Sequence, residues 1–134
     1  MVQTSHNRFN VLLADETEGW HQTVEGLLHP QGVQTLWARN GGEALDILKH
    51  ETIHVAIVDQ TMPGLGGLGI IKRMQAYGSI PPTILLANQL THNLMHEALA
   101  MQVFSVLGKP VDFNLLLDSL ARVMKRYYEG RWPV

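Results

Sequence analysis

The chain has 134 residues, of which 46% are apolar and 16% are charged, and its formal net charge is −2. This length fits one globular domain, and the near-neutral charge gives no indication of nucleic acid or membrane as a direct partner. The absence of cysteine excludes disulfides and thiolate metal sites, and no apolar stretch approaches the roughly 18 residues of a membrane span. We therefore expect a cytoplasmic protein.

Short apolar runs alternate with longer segments that have helical spacing of apolar residues. Pro30 and Gly32 interrupt the chain after the first helical pattern, and Asn40 and Asp112 are favourable helix caps. The predicted strands cover, in chain order, residues 9–14, 33–38, 53–59, 82–87 and 104–108. The predicted helices cover residues 17–29, 40–50, 67–78, 91–102 and 112–130. The third strand is the most apolar, so we expect it to be central.

Regular alternation of strands and helices predicts an α/β fold with a parallel sheet and right-handed crossovers. In open sheets of this kind, ligands bind beyond the carboxyl ends of the strands. The first strand is followed by Asp15 and Glu16, the third ends in Asp59, and the fifth runs into Lys109. We therefore expect three carboxylates and one ammonium group to converge at one edge of the sheet.

The chemistry of such a cluster follows from its charges. Three neighbouring carboxylates repel one another, and a hard divalent cation such as Mg²⁺ relieves that repulsion because it prefers oxygen ligands. A carboxylate is also a nucleophile towards phosphorus, while a metal and a lysine neutralise charge on the transferring group. The pattern predicts an aspartate that accepts a phosphoryl group with the help of Mg²⁺.

Four motifs in this order resemble the receiver domain of two-component response regulators. They are VLLADE at residues 11–16, ARNGGEAL at 38–45, VDQTMPGLGG at 58–67 and LGKP at 107–110. The resemblance covers about residues 9–126. It implies a flavodoxin-like, doubly wound sheet of five parallel strands in the order 2-1-3-4-5, with five helices.

The resemblance also implies roles for individual residues. Asp59 would be the phosphoacceptor, Lys109 would contact the phosphoryl oxygens, and the Lys109–Pro110 peptide bond would be cis. The implied ligands of Mg²⁺ are Asp15, Glu16, Asp59 and the backbone carbonyl of Thr61.

Two positions depart from the family pattern. Ala87 stands at the end of the fourth strand, where receivers carry Thr or Ser, and Val106 stands in the fifth strand, where they carry Tyr or Phe. A hydrogen bond to a charged group is worth roughly 1.5–3 kcal/mol, and Ala87 cannot donate one. We expect Asp59 to accept phosphate while the usual switch is absent. The alternative is a pseudo-receiver, an interaction module that works without phosphorylation.

The resemblance implies a regulatory domain rather than an enzyme. Its donor would be a histidine kinase or a phosphotransfer protein, and its target an output domain or effector. We expect a lead-in over residues 1–8, the domain over 9–128, and a tail or linker over 129–134. We also expect a monomer or a weak homodimer formed through helix 4, strand 5 and helix 5.

Two further patterns have competing interpretations. GLGGLG at residues 64–69 matches the G-x-G-x-x-G dinucleotide fingerprint, but four residues separate it from Asp59 and no acid follows about 20 residues later. We expect these glycines to form a flexible loop beside Asp59. His92 and His96 are spaced i, i+4 on a predicted helix and could share a metal, but we expect a surface pair because no third ligand is evident.

Overall fold

The computed structural model of the chain describes residues 9–78 and 80–129. The predicted lead-in and residues 130–134 of the predicted tail lie outside this part of the chain. The strands of the described part are β1 (Phe9–Ala14), β2 (Val33–Ala38), β3 (Val55–Asp59), β4 (Thr83–Ala87) and β5 (Ser105–Gly108). Its α-helices are α1 (Glu18–Leu28), α2 (Gly41–His50), α3 (Gly66–Ala76), α4 (His92–Ala100) and α5 (Phe113–Tyr128).

The five strands form one parallel sheet in the order β2-β1-β3-β4-β5. This arrangement confirms the predicted flavodoxin-like fold, and β3 is central, with every residue buried. Because all strands run in the same direction, the carboxyl ends of β1, β3 and β5 meet at one edge. None of the helices in residues 9–78 and 80–129 is long and apolar enough to cross a membrane.

Two hydrophobic layers enclose the sheet, because successive side chains of a strand point to opposite faces. On β1, Val11 and Leu13 join a cluster with side chains of α1 and α5, while Leu12 and Ala14 join a second cluster with α2, α3 and α4. The largest side chains that are fully buried include Leu12, Leu13, Leu28, Ile57, Ile70, Ile71, Ile84, Leu116 and Leu120. Among the described residues, the two buried charged side chains, Asp15 and Asp59, lie at the carboxyl ends of β1 and β3.

The predicted caps are confirmed. The side chain of Asn40 accepts a hydrogen bond of 2.9 Å from the Glu43 N–H, and Glu43 Oε1 accepts one of 2.8 Å from the Arg39 N–H. Asp112 accepts from the Asn114 N–H at 2.8 Å. These side chains satisfy backbone donors that have no partner within the helix, so they define where α2 and α5 begin.

Some boundaries differ from the sequence prediction. The central strand begins at Val55 rather than residue 53, because the Asn10 N–H donates to His54 Nδ1, at 3.0 Å, instead of to a strand carbonyl. The His54 ring packs edge-on against Phe9, with the ring centroids 4.9 Å apart. The first helix ends at Leu28, and a 3-10 turn over His29–Gln31 completes it.

Candidate functional site

Asp59 is the last residue of β3 and its side chain is buried, with 3% of its surface exposed. Its Oδ1 accepts hydrogen bonds from the N–H of Thr61, at 2.9 Å, and from the Thr61 hydroxyl, at 2.8 Å. Its Oδ2 accepts a hydrogen bond of 2.6 Å from Lys109 Nζ. Both oxygens of this buried carboxylate are therefore satisfied by donors from the loops at the edge of the sheet.

Lys109 directly follows β5 and reaches across β4 to Asp59. The backbone N–H of Lys109 donates a hydrogen bond of 2.9 Å to the carbonyl of Ala87, and this bond extends the β4–β5 pairing by one residue. The Lys109–Pro110 peptide bond is cis, as predicted. The side chain is 27% exposed, so the ammonium group lies at the boundary between Asp59 and solvent.

Asp15 follows β1 and is also buried, with 3% of its surface exposed. Its Oδ1 accepts a hydrogen bond of 2.7 Å from the Thr17 N–H. Its backbone N–H donates to the carbonyl of Ala38 at 3.0 Å, and its carbonyl accepts from Trp37 Nε1–H at 2.6 Å. The structure thus brings Asp15, Asp59 and Lys109 together, as the sequence predicted.

The two carboxyl groups have opposite pKa shifts. Burial, together with a hydrogen bond to Asp59 and the charge of Asp59, raises the pKa of Asp15 to about 6, although the Thr17 N–H and Lys109 oppose this. Burial alone would raise the pKa of Asp59 as well, but the hydrogen bonds from Lys109, Thr61 and Asp15 outweigh it and hold the pKa below its ordinary value. Asp59 is therefore the first of the two carboxyl groups to ionise, and it carries the charge of the pair alone only below about pH 6.

Glu16 and Thr61 lie at the rim of this cluster. Both residues are exposed, and within residues 9–78 and 80–129 no group of three or more metal-binding His, Asp or Glu side chains is formed. The expected convergence of three carboxylates is thus limited here to the buried pair Asp15 and Asp59. That pair fits Mg²⁺, because a hard cation offsets both the burial that mainly raises the pKa of Asp15 and the repulsion from Asp59 that adds to it. The roles of Glu16 and of the Thr61 carbonyl remain predictions.

The two atypical positions lie in β4 and β5, the two strands beyond β3 in the sheet. Ala87 is buried at the end of β4, and Val106 is half-buried in β5, where it pairs with Leu85. A shallow depression of about 480 Å³ lies beside Ala87 and is also lined by Gln60 and Thr61. Ala87 therefore presents a methyl group, and no hydroxyl donor, beside Gln60 and Thr61.

The glycines after Asp59 differ from the expected flexible loop. Gly66 and Gly67 belong to the first turn of α3, and Gly67 is buried. A Cβ atom on Gly67 would lie 2.8 Å from the carbonyl oxygen of Asp59 and 2.8 Å from the Cα of Gln60. The missing side chain therefore lets α3 approach the backbone of the acceptor residue.

Trp37 is a site residue that the sequence prediction missed. It lies in an alternating edge strand, VQTLWA, whose local pattern contains no signal for a contact with Asp15, 22 residues earlier. The histidine pair His92 and His96 is exposed on α4. It remains a surface pair, because the described residues hold no third metal-binding side chain near it.

Comparison with known proteins agrees with this geometry. The chain is 25% identical over 114 residues to "Sporulation initiation phosphotransferase F" of Bacillus subtilis. The matched region covers 85% of this chain and 92% of that protein. It is 31% identical over 115 residues to "Sensory/regulatory protein RpfC" of Xanthomonas campestris pv. campestris. The matched region covers 83% of this chain and 16% of that protein. It spans about half, 54%, of "Response regulator RR06" of Streptococcus pneumoniae.

Solved structures show the same similarity. A signal receiver domain of an HD domain-containing protein from Pseudomonas fluorescens has a TM-score of 0.83 at 27% identity, covering 91% of this chain and 98% of the other. The chemotaxis protein CheY4 of Vibrio cholerae has a TM-score of 0.78 at 29% identity, covering 87% and 98%. The family model of the response regulator receiver domain matches residues 11–121. The chain therefore belongs to the receiver-domain family of response regulators.

Proposed function

We propose that the chain acts in phosphorelay signalling and accepts a phosphoryl group on Asp59 from a histidine kinase or a phosphotransfer protein. The observation that carries this proposal is the burial of the Asp59 carboxylate against Lys109 Nζ at 2.6 Å, next to Asp15. A buried carboxylate held in its charged form by a lysine is a nucleophile with a neighbouring cation for the incoming charge.

In the transfer, an oxygen of Asp59 attacks the phosphorus of a phosphohistidine. The new P–O bond forms as the P–N bond breaks, and the leaving imidazole nitrogen takes a proton from solvent. Mg²⁺, when held by Asp15, Glu16, Asp59 and the Thr61 carbonyl, supplies charge neutralisation for the carboxylates and the phosphoryl oxygens.

Lys109 has two roles in this proposal. Before transfer its Nζ is bonded to Asp59 Oδ2, which keeps the buried carboxylate charged and ready. On transfer the ammonium group moves from Oδ2 to a phosphoryl oxygen, since the negative charge moves there too. The exposure of 27% of this side chain supports such a movement, because its neighbourhood is not closely packed on all sides.

The proposal extends to the surroundings of the domain. One relative is named a phosphotransferase and another a sensory and regulatory protein, which supports a donor of the phosphorelay type and an output domain or effector as target. We place the domain in the cytoplasm as a regulatory phosphoacceptor rather than an enzyme.

For assembly, we propose a monomer or a weak homodimer through α4, β5 and α5. Leu99 and Met95 of α4 and Leu115 of α5 are 75%, 42% and 54% exposed, which supports a modest apolar contact. Light scattering of the unphosphorylated protein tests this assignment. A tight dimer without phosphate would contradict it.

The test of the proposed function is intact mass after incubation with acetyl phosphate and Mg²⁺. We expect one added phosphoryl group on the wild-type protein and none on Asp59→Asn. A beryllium fluoride complex provides a second readout if the acyl phosphate hydrolyses quickly. Absence of both the adduct and the complex would reject phosphoacceptor function.

A second candidate is the pseudo-receiver, which acts through its surface without phosphate. The specific observation in its favour is the pair Ala87 and Val106, which provides neither a hydroxyl donor at the end of β4 nor an aromatic ring in β5. Hydrogen exchange of α4, measured with and without beryllium fluoride, tests whether occupation of the acceptor site alters this helix. We expect little change in α4, and a large shift of that helix would show that a switch operates despite these two residues.

A further inference from the structure

Trp37 lies beside the acidic loop that follows β1, although it belongs to the edge strand β2. Its indole Nε1–H donates a hydrogen bond of 2.6 Å to the backbone carbonyl of Asp15. The Asp15 N–H donates in turn to the carbonyl of Ala38 at 3.0 Å. Both backbone polar groups of Asp15 are therefore held by the last two residues of β2.

The Asp15 carbonyl is part of the peptide unit that joins Asp15 to Glu16. Because a peptide unit is planar, a hydrogen bond to its oxygen restrains the orientation of the whole unit. That orientation sets the direction in which the chain leaves Asp15 and enters Glu16. One hydrogen bond from Trp37 thus restrains the backbone of both acidic residues.

The indole ring is itself held in place by its neighbours. His21 of α1 stacks on it, with the ring centroids 4.8 Å apart and an interplanar angle of 10°. The guanidinium group of Arg39 lies 5.7 Å from the ring centroid and is paired with Glu43 at 3.2 Å. A ring restrained in this way presents its N–H at a defined position, which a positioning residue requires.

We propose that Trp37 is a positioning residue for magnesium binding, acting on Asp15 and Glu16 through the Asp15 carbonyl. The inference rests on the proposed function for the identity of the metal. Removal of an outer hydrogen bond of this kind costs about 10- to 100-fold in metal affinity. By linkage, bound Mg²⁺ strengthens the same hydrogen bond. Occupation of the metal site is therefore coupled to β2 and α1 through Trp37, without the participation of Ala87 or Val106.

The test compares Trp37→Phe with Trp20→Phe. The first variant keeps an aromatic ring for His21 but removes the N–H donor. The second makes the same change at an indole whose buried Nε1 has no hydrogen-bond partner among the described residues and whose ring stacks on Phe113, 5.6 Å away. We expect the Mg²⁺ dissociation constant, measured from Mg²⁺-dependent thermal unfolding, to rise about 10-fold in Trp37→Phe and to stay unchanged in Trp20→Phe.

A fluorescence titration decides the matter even if Trp37→Phe folds poorly. The chain has three tryptophans, so Trp20→Phe combined with Trp132→Phe leaves Trp37 as the sole indole. Its emission should change on Mg²⁺ addition and saturate at the dissociation constant found by unfolding.

Three results would overturn the proposal. They are an Mg²⁺ affinity of Trp37→Phe equal to that of the wild-type protein, a Trp37 fluorescence that does not change at saturating Mg²⁺, and no Mg²⁺ binding by the wild-type protein. Failure of the proposed function has a different signature. If Mg²⁺ binds and depends on Trp37, but Asp59 takes no phosphoryl group, phosphoacceptor function is rejected and the positioning role stands.

Discussion

Lys109 Nζ lies 2.6 Å from Asp59 Oδ2, so a residue that follows β5 holds the charge of a residue that ends β3. The pair joins two positions 50 residues apart in the chain. Together with the hydrogen bonds from Thr61 and Asp15, it keeps the buried carboxylate of Asp59 charged. Its strength is open to direct measurement.

A double-mutant cycle of Lys109→Met and Asp59→Asn should give a coupling energy of about 1.5–3 kcal/mol in urea unfolding at pH 7 without Mg²⁺. The coupling is the informative quantity, because Asp59→Asn by itself also relieves repulsion with Asp15. Additive effects of the two substitutions would show that the pair contributes nothing of its own. The pKa of Asp59 is lowered, so this stabilisation is present above about pH 4 and is lost as the pH falls through the folded pKa.

Asp15 should make Mg²⁺ binding depend on pH. Its pKa is raised to about 6, so below that pH a proton must leave before the cation binds, and the dissociation constant should rise about 10-fold per pH unit. Calorimetric titration at pH 5, 6, 7 and 8 measures this. Binding that is independent of pH would contradict the shift.

The same group predicts a stability profile for the metal-free protein. A raised folded pKa means that protonated Asp15 stabilises the fold fully below about pH 4, and that this contribution is lost as the pH rises through about 6. The loss is at most about 3 kcal/mol for a shift of this size. Urea unfolding of wild-type protein and Asp15→Asn, compared between pH 4.5 and 7.5, isolates the effect. If the unfolding free energies of the two proteins changed equally between pH 4.5 and 7.5, this contribution of Asp15 would be excluded.

Ala87→Thr should restore a donor to the phosphoryl group. The new hydroxyl would face the depression beside Gln60 and Thr61, and a hydrogen bond to a charged group is worth about 1.5–3 kcal/mol. We expect acetyl phosphate to label Ala87→Thr about 10- to 100-fold faster than Ala87→Val, which has the same branched shape without the hydroxyl. Equal labelling rates for these two variants would show that the missing hydroxyl does not limit the reaction.

Gly67→Ala should destabilise the protein by about 1–3 kcal/mol, because the new Cβ would lie 2.8 Å from backbone atoms of Asp59 and Gln60. Gly26→Ala, in α1, is the matched control. Its Cβ would meet no atom of the described residues within 4 Å, so the better helix propensity of alanine should stabilise the protein by about 0.5–1 kcal/mol. Opposite signs in urea unfolding would support the close approach, whereas a gain at both positions would show that α3 can move away at no cost.

Much of the fold and part of the site were predictable from local patterns. Apolar periodicity determined the order of the elements, since a strand or helix that buries one face repeats its apolar residues at the spacing of its own backbone. The parallel topology then placed Asp15, Asp59 and Lys109 at one edge. The caps Asn40 and Asp112 were also readable, because a cap acts on backbone groups two or three residues away.

Only the tertiary structure decided how the site is held. The exposure of Glu16, the raised pKa of Asp15, the close packing of Gly67 on β3 and the bond from Trp37 to Asp15 depend on atoms brought together from distant segments. The contact of Trp37 with Asp15 joins residues 22 positions apart and that of Lys109 with Asp59 residues 50 apart, and no window of local sequence encodes their distance or direction. The sequence by itself determined which chemical groups reach the edge of the sheet, and long-range packing determined their charge and orientation.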